Sequence, residues 1–418
     1  MNQDLCIRLG KLIELYRSEL EKKEGSDKWG IEQFLHTPKK YQNICSRTTY
    51  FRLRKGKKVN EHSYYELIKK LGYNFKEFQL IDKELDFLYQ KLYRAVFYMD
   101  IGALGNIKME IQFLFKEAKN YFFYVDIYKL LMFIVLIHID SPSILDDDEV
   151  KHLGFVSTLL GGANYNLFIY SLFSYEINYT KNYDNLNRLF ESLDDFEKYD
   201  DPLILLCLVY KYNSNIELEK GNATIKKIKK LVPTNNICFL FRVKLRELFY
   251  TYNFNASNSD NAYNEVLEYS NEHPNIPVYM LKIFHYNYAM HLLSNNRLEK
   301  AIEVFEVYFA LDESFNVFAE SMYAMCKTML FQMNLRCVEI GKLELNNIWS
   351  CILKYCILKQ KKCKTEELFI ILENEVIPNT FNDLPPVVIN FIRKEVLEIS
   401  SIMKRYKIVS DMDFQLLK

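Results

Sequence analysis

Between Ile44 and Lys58 the chain reads Ile-Cys-Ser-Arg-Thr-Thr-Tyr-Phe-Arg-Leu-Arg-Lys-Gly-Lys-Lys, and from Lys39 to Lys58 it carries eight basic residues and no acidic one. Ser46 can cap a helix running to Lys55, and Gly56 can end that helix in the left-handed conformation. Tyr50 and Leu53, three apart, then face a core, which leaves Arg47, Thr48, Thr49 and Arg52 outside. A helix fits the major groove of DNA, Arg donates bidentately to guanine, and Thr offers a hydroxyl and a methyl to base edges. Those four are therefore the candidate base-contacting residues. Lys39, Lys40, Arg54, Lys55, Lys57 and Lys58 are the candidate phosphate contacts, which position a protein on a duplex without reading its sequence.

Other chemistry is not signalled. Gly161-Gly162 lacks the further glycines and the Lys-Ser/Thr of a phosphate-binding loop. His285 and His291 are six apart, the wrong spacing for a zinc pair on a helix, and neither has Cys or Glu partners nearby in sequence. Asp146-Asp147-Asp148-Glu149 lacks the glycine and the spaced acids of a calcium loop and reads as a solvated turn or helix start. No catalytic residue, metal or cofactor is expected, and an enzyme is not expected either.

The elements that must position the basic segment are helical. In 418 residues there are 12 Gly and 9 Pro, while Leu, Ile, Lys, Glu, Phe and Tyr are plentiful, a composition that suits long helices and disfavours turn-rich β architectures. The formal net charge is zero, yet residues 1–80 hold 17 Lys+Arg against 10 Asp+Glu, and residues 81–418 hold 37 against 44. A basic head on an acidic body confines nucleic-acid contact to the head. Nine cysteines form no Cys-x-x-Cys, and most sit in apolar helical surroundings such as Leu206-Cys207-Leu208. They read as reduced core thiols of a cytoplasmic protein. The first residues lack a basic segment followed by an apolar one, so secretion is not expected. The strongest apolar run, Leu130 to Ile137, is eight residues, far short of the roughly 20 that span a bilayer.

A first helix is expected over about Asp4 to Glu24, with Leu5, Leu9, Leu12, Ile13, Tyr16 and Leu20 on one face. A second, short helix can start at Thr37-Pro38 or already at Gly30. Glu61 to Leu71 makes another, with Tyr64, Leu67, Ile68 and Leu71 inward and Gly72 closing it. From Phe75 to about Met99 the pattern Phe78, Ile81, Leu85, Leu88, Leu92, Val96 reads as a connecting helix. Beyond residue 100 the chain repeats a pair of amphipathic helices, with first helices near 127, 164, 202, 238, 279 and 316 at intervals of about 36 to 41 residues. In the clearest unit, Lys282 to Glu313, Asn287-Tyr288-Ala289 precedes a turn at Asn295-Asn296-Arg297, and Ala301 and Phe305 occupy small and aromatic packing positions. Pro385-Pro386 breaks the last stretch.

The segment around Ser46 resembles the recognition helix of the helix-turn-helix in phage repressors and many bacterial regulators. Cys45, Ser46, Arg47, Thr49, Tyr50, Arg52, Leu53, Gly56 and Lys57 fall on its pattern. Lys39 to Ile44 departs from the usual preceding helix, having neither a Leu-Ala pair nor a glycine turn. The 282–313 unit resembles a tetratricopeptide repeat. Together these imply an all-α chain: a helix-turn-helix domain at 1–75, a connecting helix at 76–100, and a degenerate tetratricopeptide-like α-solenoid at 101–418 for sensing and dimerisation. The architecture resembles the RRNPP family of peptide-sensing quorum regulators, including phage arbitrium receptors. That resemblance implies a homodimer that binds a double-stranded DNA operator and a short signalling peptide, with no membrane partner. Asparagines on first repeat helices clamp the peptide backbone in that family, since an amide offers both donor and acceptor. Asn287 matches such a position, and Asn213 and Asn253 match it more loosely. Tyr165, Tyr170, Tyr175, Tyr286 and Tyr288 can line a groove or fill the repeat core. The alternative function is a repeat-based interaction module that inhibits or scaffolds another regulatory protein without operator binding.

Overall fold

The computed structural model describes residues 1–36, 43–57, 59–139, 145–180, 182–254, 256–312, 314–332, 347–380 and 384–415. Among these the chain is all-helical, and an isolated antiparallel bridge between His36 and Asn43 stands in place of any strand. It forms two compact units, Met1–Val243 and Lys244–Lys418. No helix among the described residues is long and apolar enough to cross a membrane.

The first unit opens with α1 (Gln3–Glu24), α2 (Ser26–Trp29), α3 (Ile31–Leu35), α4 (Arg47–Arg54) and α5 (Glu61–Lys70). Asn2 caps α1 through the Leu5 amide, and Leu5, Leu9, Leu12 and Ile13 are buried along its inner face, the stripe its spacing predicts. The short helices after α1 begin at Ser26 and Ile31; the alternative start at Thr37-Pro38 lies outside the described residues. Asn60 caps α5, and Tyr64, Leu67 and Ile68 turn inward.

Then follow α6 (Gln79–Tyr98), α7 (Ile101–Leu114), α8 (Tyr124–His138), α9 (Asp147–Leu159), α10 (Gly162–Tyr175), α11 (Tyr183–Glu191), α12 (Pro202–Ser214) and α13 (Leu218–Leu231), with α14 (Ile237–Phe254) containing the division between units. The connecting helix starts at Gln79 rather than near Phe75. The reason is aromatic: Phe75 and Phe78 pack on the Tyr124 ring at centroid distances of 6.4 and 5.1 Å, and the Tyr124 hydroxyl accepts from the Phe78 amide at 3.1 Å. Asp146 caps α9 in a reciprocal box with Glu149, so the acidic run is a helix start. Asp201 caps α12 with Pro202 in its first turn, and Leu203 through Val209 are all buried, as befits a helix covered on every side.

The second unit contains α15 (Ser259–Glu272), α16 (Val278–Ser294), α17 (Leu298–Leu311), α18 (Val317–Met329), α19 (Ile348–Gln360), α20 (Thr365–Ile371), α21 (Pro386–Met403) and α22 (Lys407–Gln415). Six helices, α8, α10, α12, α14, α16 and α18, begin within three residues of the six expected starts. The partners α12 with α13, α16 with α17, and α18 with α19 pack as hairpins. Between α16 and α17 the chain reverses through Asn296 at φ 56°, and Ala301 and Phe305 are buried as the packing pattern requires. Tyr170, Tyr175 and Tyr288 belong to the core. His285 bonds the Tyr263 hydroxyl at 2.8 Å, and His291 stacks 4.4 Å from the Tyr252 ring. Burial pushes His285 down to about 4, which keeps it neutral. The described cysteines are free thiols, and no group of His, Cys, Asp and Glu able to hold a metal occurs among the described residues.

Candidate nucleic-acid interface

Helix α4 is short, eight residues, so its position depends on what holds its two ends and its inner face. Ser46 sits just before it in extended backbone and accepts from the Thr49 amide at 3.1 Å. Its hydroxyl also pairs with Thr49 Oγ1 at 2.9 Å. At the far end Gly56 takes φ 69°, the Gly56 amide donates to Leu53 O and the Lys57 amide to Arg52 O, both at 2.9 Å. A left-handed residue there closes the orphan carbonyls of the last turn. Glycine is also needed for space, because a β-carbon at 56 would lie 2.5 Å from Ile7 Cγ1 of α1.

Tyr50 and Leu53 are fully buried against α1. The Tyr50 hydroxyl donates to Glu14, which also accepts from Arg17 Nε at 2.9 Å and pairs with Arg54 at 3.2 Å. Burial acts to raise the Glu14 carboxyl, but hydrogen bonds from Arg17 and Tyr50 and the charges of Arg17 and Arg54 outweigh it and hold Glu14 below the ordinary carboxylate range. Buried Arg17 in turn donates to Glu21 and, at 2.9 Å, to the Trp29 carbonyl. Glu14 thus holds the inner side of α4, and its partner Arg17 holds the chain entering α3.

The outer face carries the four candidate reading residues. Arg47 is 63% exposed and lies 3.6 Å from Glu32, a loose pair in solvent with little hold on it; its guanidinium is 5.7 Å from the Phe51 ring. Thr48 and Arg52 are exposed. Thr49 is half-buried by its bond to Ser46. Of the candidate phosphate contacts, Lys55 and Lys57 are exposed beside the Gly56 turn. Arg54 is half-buried on Glu14, with its guanidinium 5.5 Å from the Phe51 ring. Lys39, Lys40 and Lys58 lie outside the described residues.

A second constellation, with no local sequence signal, joins α1 to the helices that follow. Asp126 of α8 is fully buried, accepts from the Tyr16 hydroxyl at 2.7 Å and pairs with His152 Nε2 of α9 at 3.0 Å. The other ring nitrogen, Nδ1, lies 3.1 Å from Glu19 of α1. Asp126 Oδ2 has no hydrogen-bond partner among the described residues. Burial disfavours the imidazolium, yet the hydrogen bonds and charges of Asp126 and Glu19 raise His152 to about 9. Tyr16 also packs on Tyr73 and Phe122, each at 5.2 Å. These groups lie up to 133 residues apart in sequence, which is why a scan of local spacing misses them.

The first unit also contains a cavity of about 830 Å³. Tyr89 and Tyr93 of α6, Asn164 and Asn166 of α10, and Tyr199 and Asp201 before α12 are in its wall. Asp201 accepts from Tyr93 at 3.0 Å and Asn166 at 3.1 Å. Asn213, on α12, is half-buried and is not among the lining residues. In the second unit Asn287 is half-buried on α16, while Asn253 is exposed on α14 and donates to Phe249 O of its own helix at 3.0 Å. No protein-family model, curated protein or solved structure gives a significant match to this chain.

Proposed function

We propose that the chain is a sequence-specific DNA-binding transcription regulator whose α1–α5 head is a helix-turn-helix domain and whose α4 is the recognition helix. The observation that carries this reading is the two-sidedness of α4. Tyr50 and Leu53 are locked inward, while Arg47, Thr48 and Arg52 stand exposed in a segment free of acidic residues. An outward row of Arg and Thr on a capped helix suits major-groove edges, and exposed Lys55 and Lys57 suit the flanking phosphates.

The paired helices that follow act, in this reading, as a tetratricopeptide-like sensor of the RRNPP type for a short peptide. Asn287 on α16 is its first candidate contact and Asn213 and Asn253 are looser ones. The regularity of the helix starts supports the repeat, and the Tyr16–Asp126–His152–Glu19 joint gives the head a route to the helices beyond it. Selection of bound sequences from random duplexes tests the function. The wild type should enrich one motif, and Arg47→Ala with Arg52→Ala should lose that enrichment by roughly 10- to 100-fold while retaining the helical circular-dichroism signal. Binding without sequence preference would refute operator reading and favour the interaction-module alternative.

A further inference from the structure

We propose that the cavity of the first unit, walled by α6, the start of α10 and the segment before α12, binds a linear aliphatic polyamine. Its occupancy requires neither DNA nor the asparagines assigned above to a peptide.

The α6 wall is one face of that helix, since Asp86, Tyr89, Gln90 and Tyr93 fall at i, i+3, i+4 and i+7. The rest includes the Gly161-Gly162 turn, Asn164 and Asn166 of α10, and the chain from Lys198 to Pro202. A β-carbon on either glycine would meet nothing within 4 Å, so the turn leaves the cavity room. Its volume of about 830 Å³ suits a small organic molecule and is far more than one or two waters fill.

The polar groups of this wall spend donors on one another and keep acceptors. Tyr93 gives its hydroxyl proton to Asp201 at 3.0 Å, and Asn166 donates to the same carboxylate at 3.1 Å. Asn164 donates to Leu160 O at 2.7 Å. What remains is the Tyr93 oxygen and two amide carbonyls. The Tyr89 hydroxyl, buried, has no hydrogen-bond partner among the described residues. Charge runs the same way. Lys198 of the wall is drawn to Asp194 at 2.9 Å, and Asp200 pairs with Lys227 at 2.9 Å. Even with those two partners counted, the carboxylates of Asp86, Asp194, Asp200 and Asp201 stand against two ammoniums. Asp86 is exposed and forms no ion pair among the described residues.

A net-negative wall rich in acceptors suits a ligand with donors and no acceptor, which is the chemistry of an ammonium. A metal ion fits less well, because no group of His, Cys, Asp and Glu able to hold one occurs among the described residues. The start of α10 has no side-chain cap, and its dipole repels a cation, so the ammoniums belong along α6 rather than at Gly162. There Asp86, Gln90 and Tyr93 set acceptors along seven residues, about 10 Å of helix. A linear di- or triamine of comparable length reaches them in series, with its methylenes and charges against the tyrosine rings. A monoamine reaches one.

Isothermal titration of spermidine into the full chain, free of DNA and at physiological salt, tests the site. The wild type should take up one spermidine per chain saturably, and butylamine should bind at least about tenfold more weakly, having a single charge-assisted donor group. Asp86→Asn and Gln90→Leu should each weaken spermidine, the first by about tenfold, with unchanged helical circular dichroism. Glu84→Gln removes the same charge from an exposed position two residues away, on another side of α6, and should leave the affinity within twofold. No saturable uptake by the folded wild type, equal weakening by Glu84→Gln and Asp86→Asn, or displacement of spermidine by an equal concentration of magnesium would each overturn the proposal, the last two by showing a diffuse acidic surface.

Discussion

Gly10 of α1 lies directly against Leu53 of α4: a β-carbon at position 10 would stand 2.2 Å from the Leu53 carbonyl oxygen. The obstacle is backbone, so it cannot swing aside as a side chain would. Gly10→Ala should therefore push α4 off α1 and cost about 3 kcal/mol, the upper end of overpacking effects. Urea unfolding measures this. A loss below about 1 kcal/mol would mean that α4 is less firmly seated on α1 than the contact implies.

His152 supplies a pH dependence whose sign follows from its partners. Its folded value of about 9 exceeds the ordinary 6.5, so the native state holds a proton that the unfolded chain releases first. The stabilisation is complete below about pH 6.5 and is lost as pH rises through about 9, amounting to at most about 3 kcal/mol. His152→Gln should remove that alkaline decline relative to wild type. Urea midpoints measured across this range compare the two, and parallel curves would show that the joint to Glu19 and Asp126 carries no charge.

The local half of this site was legible and the long-range half was not. Ser46, Tyr50, Leu53 and Gly56 act within one helix, where cap, period and stop are sequence properties. The alternation of apolar faces likewise located the first helix of each pair. Nothing in the spacing of Glu14 identifies it as the anchor of Tyr50, 36 residues away, nor links Tyr16 to Asp126 across 110. Gly10 read as an unremarked helical glycine because its reason for being small is a neighbour from another helix. Asn253 matched a ligand-clamping position loosely, yet its amide bonds to its own helix.

In the second unit Asp260 gathers Tyr288, Arg297 at 2.8 Å and Lys300 at 2.8 Å, joining α15 to the α16–α17 hairpin. Hydrogen bonding by Arg297, opposed by burial and aided by Lys300 and Tyr288, holds the carboxyl far below its usual range. The site is about a third exposed, so solvent screening limits its worth. Asp260→Asn should cost about 1 kcal/mol near neutral pH, and the difference from wild type should shrink in strong acid, where the carboxyl is protonated. A calorimetric melt at both pH values reads this, and equal differences at the two would rule out a charge-based hub.

The cations of the head should separate by what already holds them. Each phosphate contact contributes roughly 0.9 to the slope of log affinity against log salt. Lys57 is exposed, so Lys57→Ala should flatten that slope by about this amount and weaken all sequences alike. Arg54 is half-buried against Glu14 at 3.2 Å, and leaving that carboxylate would offset its gain from a phosphate. Arg54→Ala should thus flatten the slope by clearly less than Lys57→Ala while lowering the stability of the head, because Glu14 loses a cation. Arg52, exposed on the outer face of α4, should behave differently from both. Its replacement by alanine should relax base preference at one position, worth about 1–3 kcal/mol, with little change in the preference elsewhere. Salt titrations on matched and mismatched duplexes distinguish the three, and a full phosphate-sized slope change for Arg54→Ala would show that Glu14 releases it on binding.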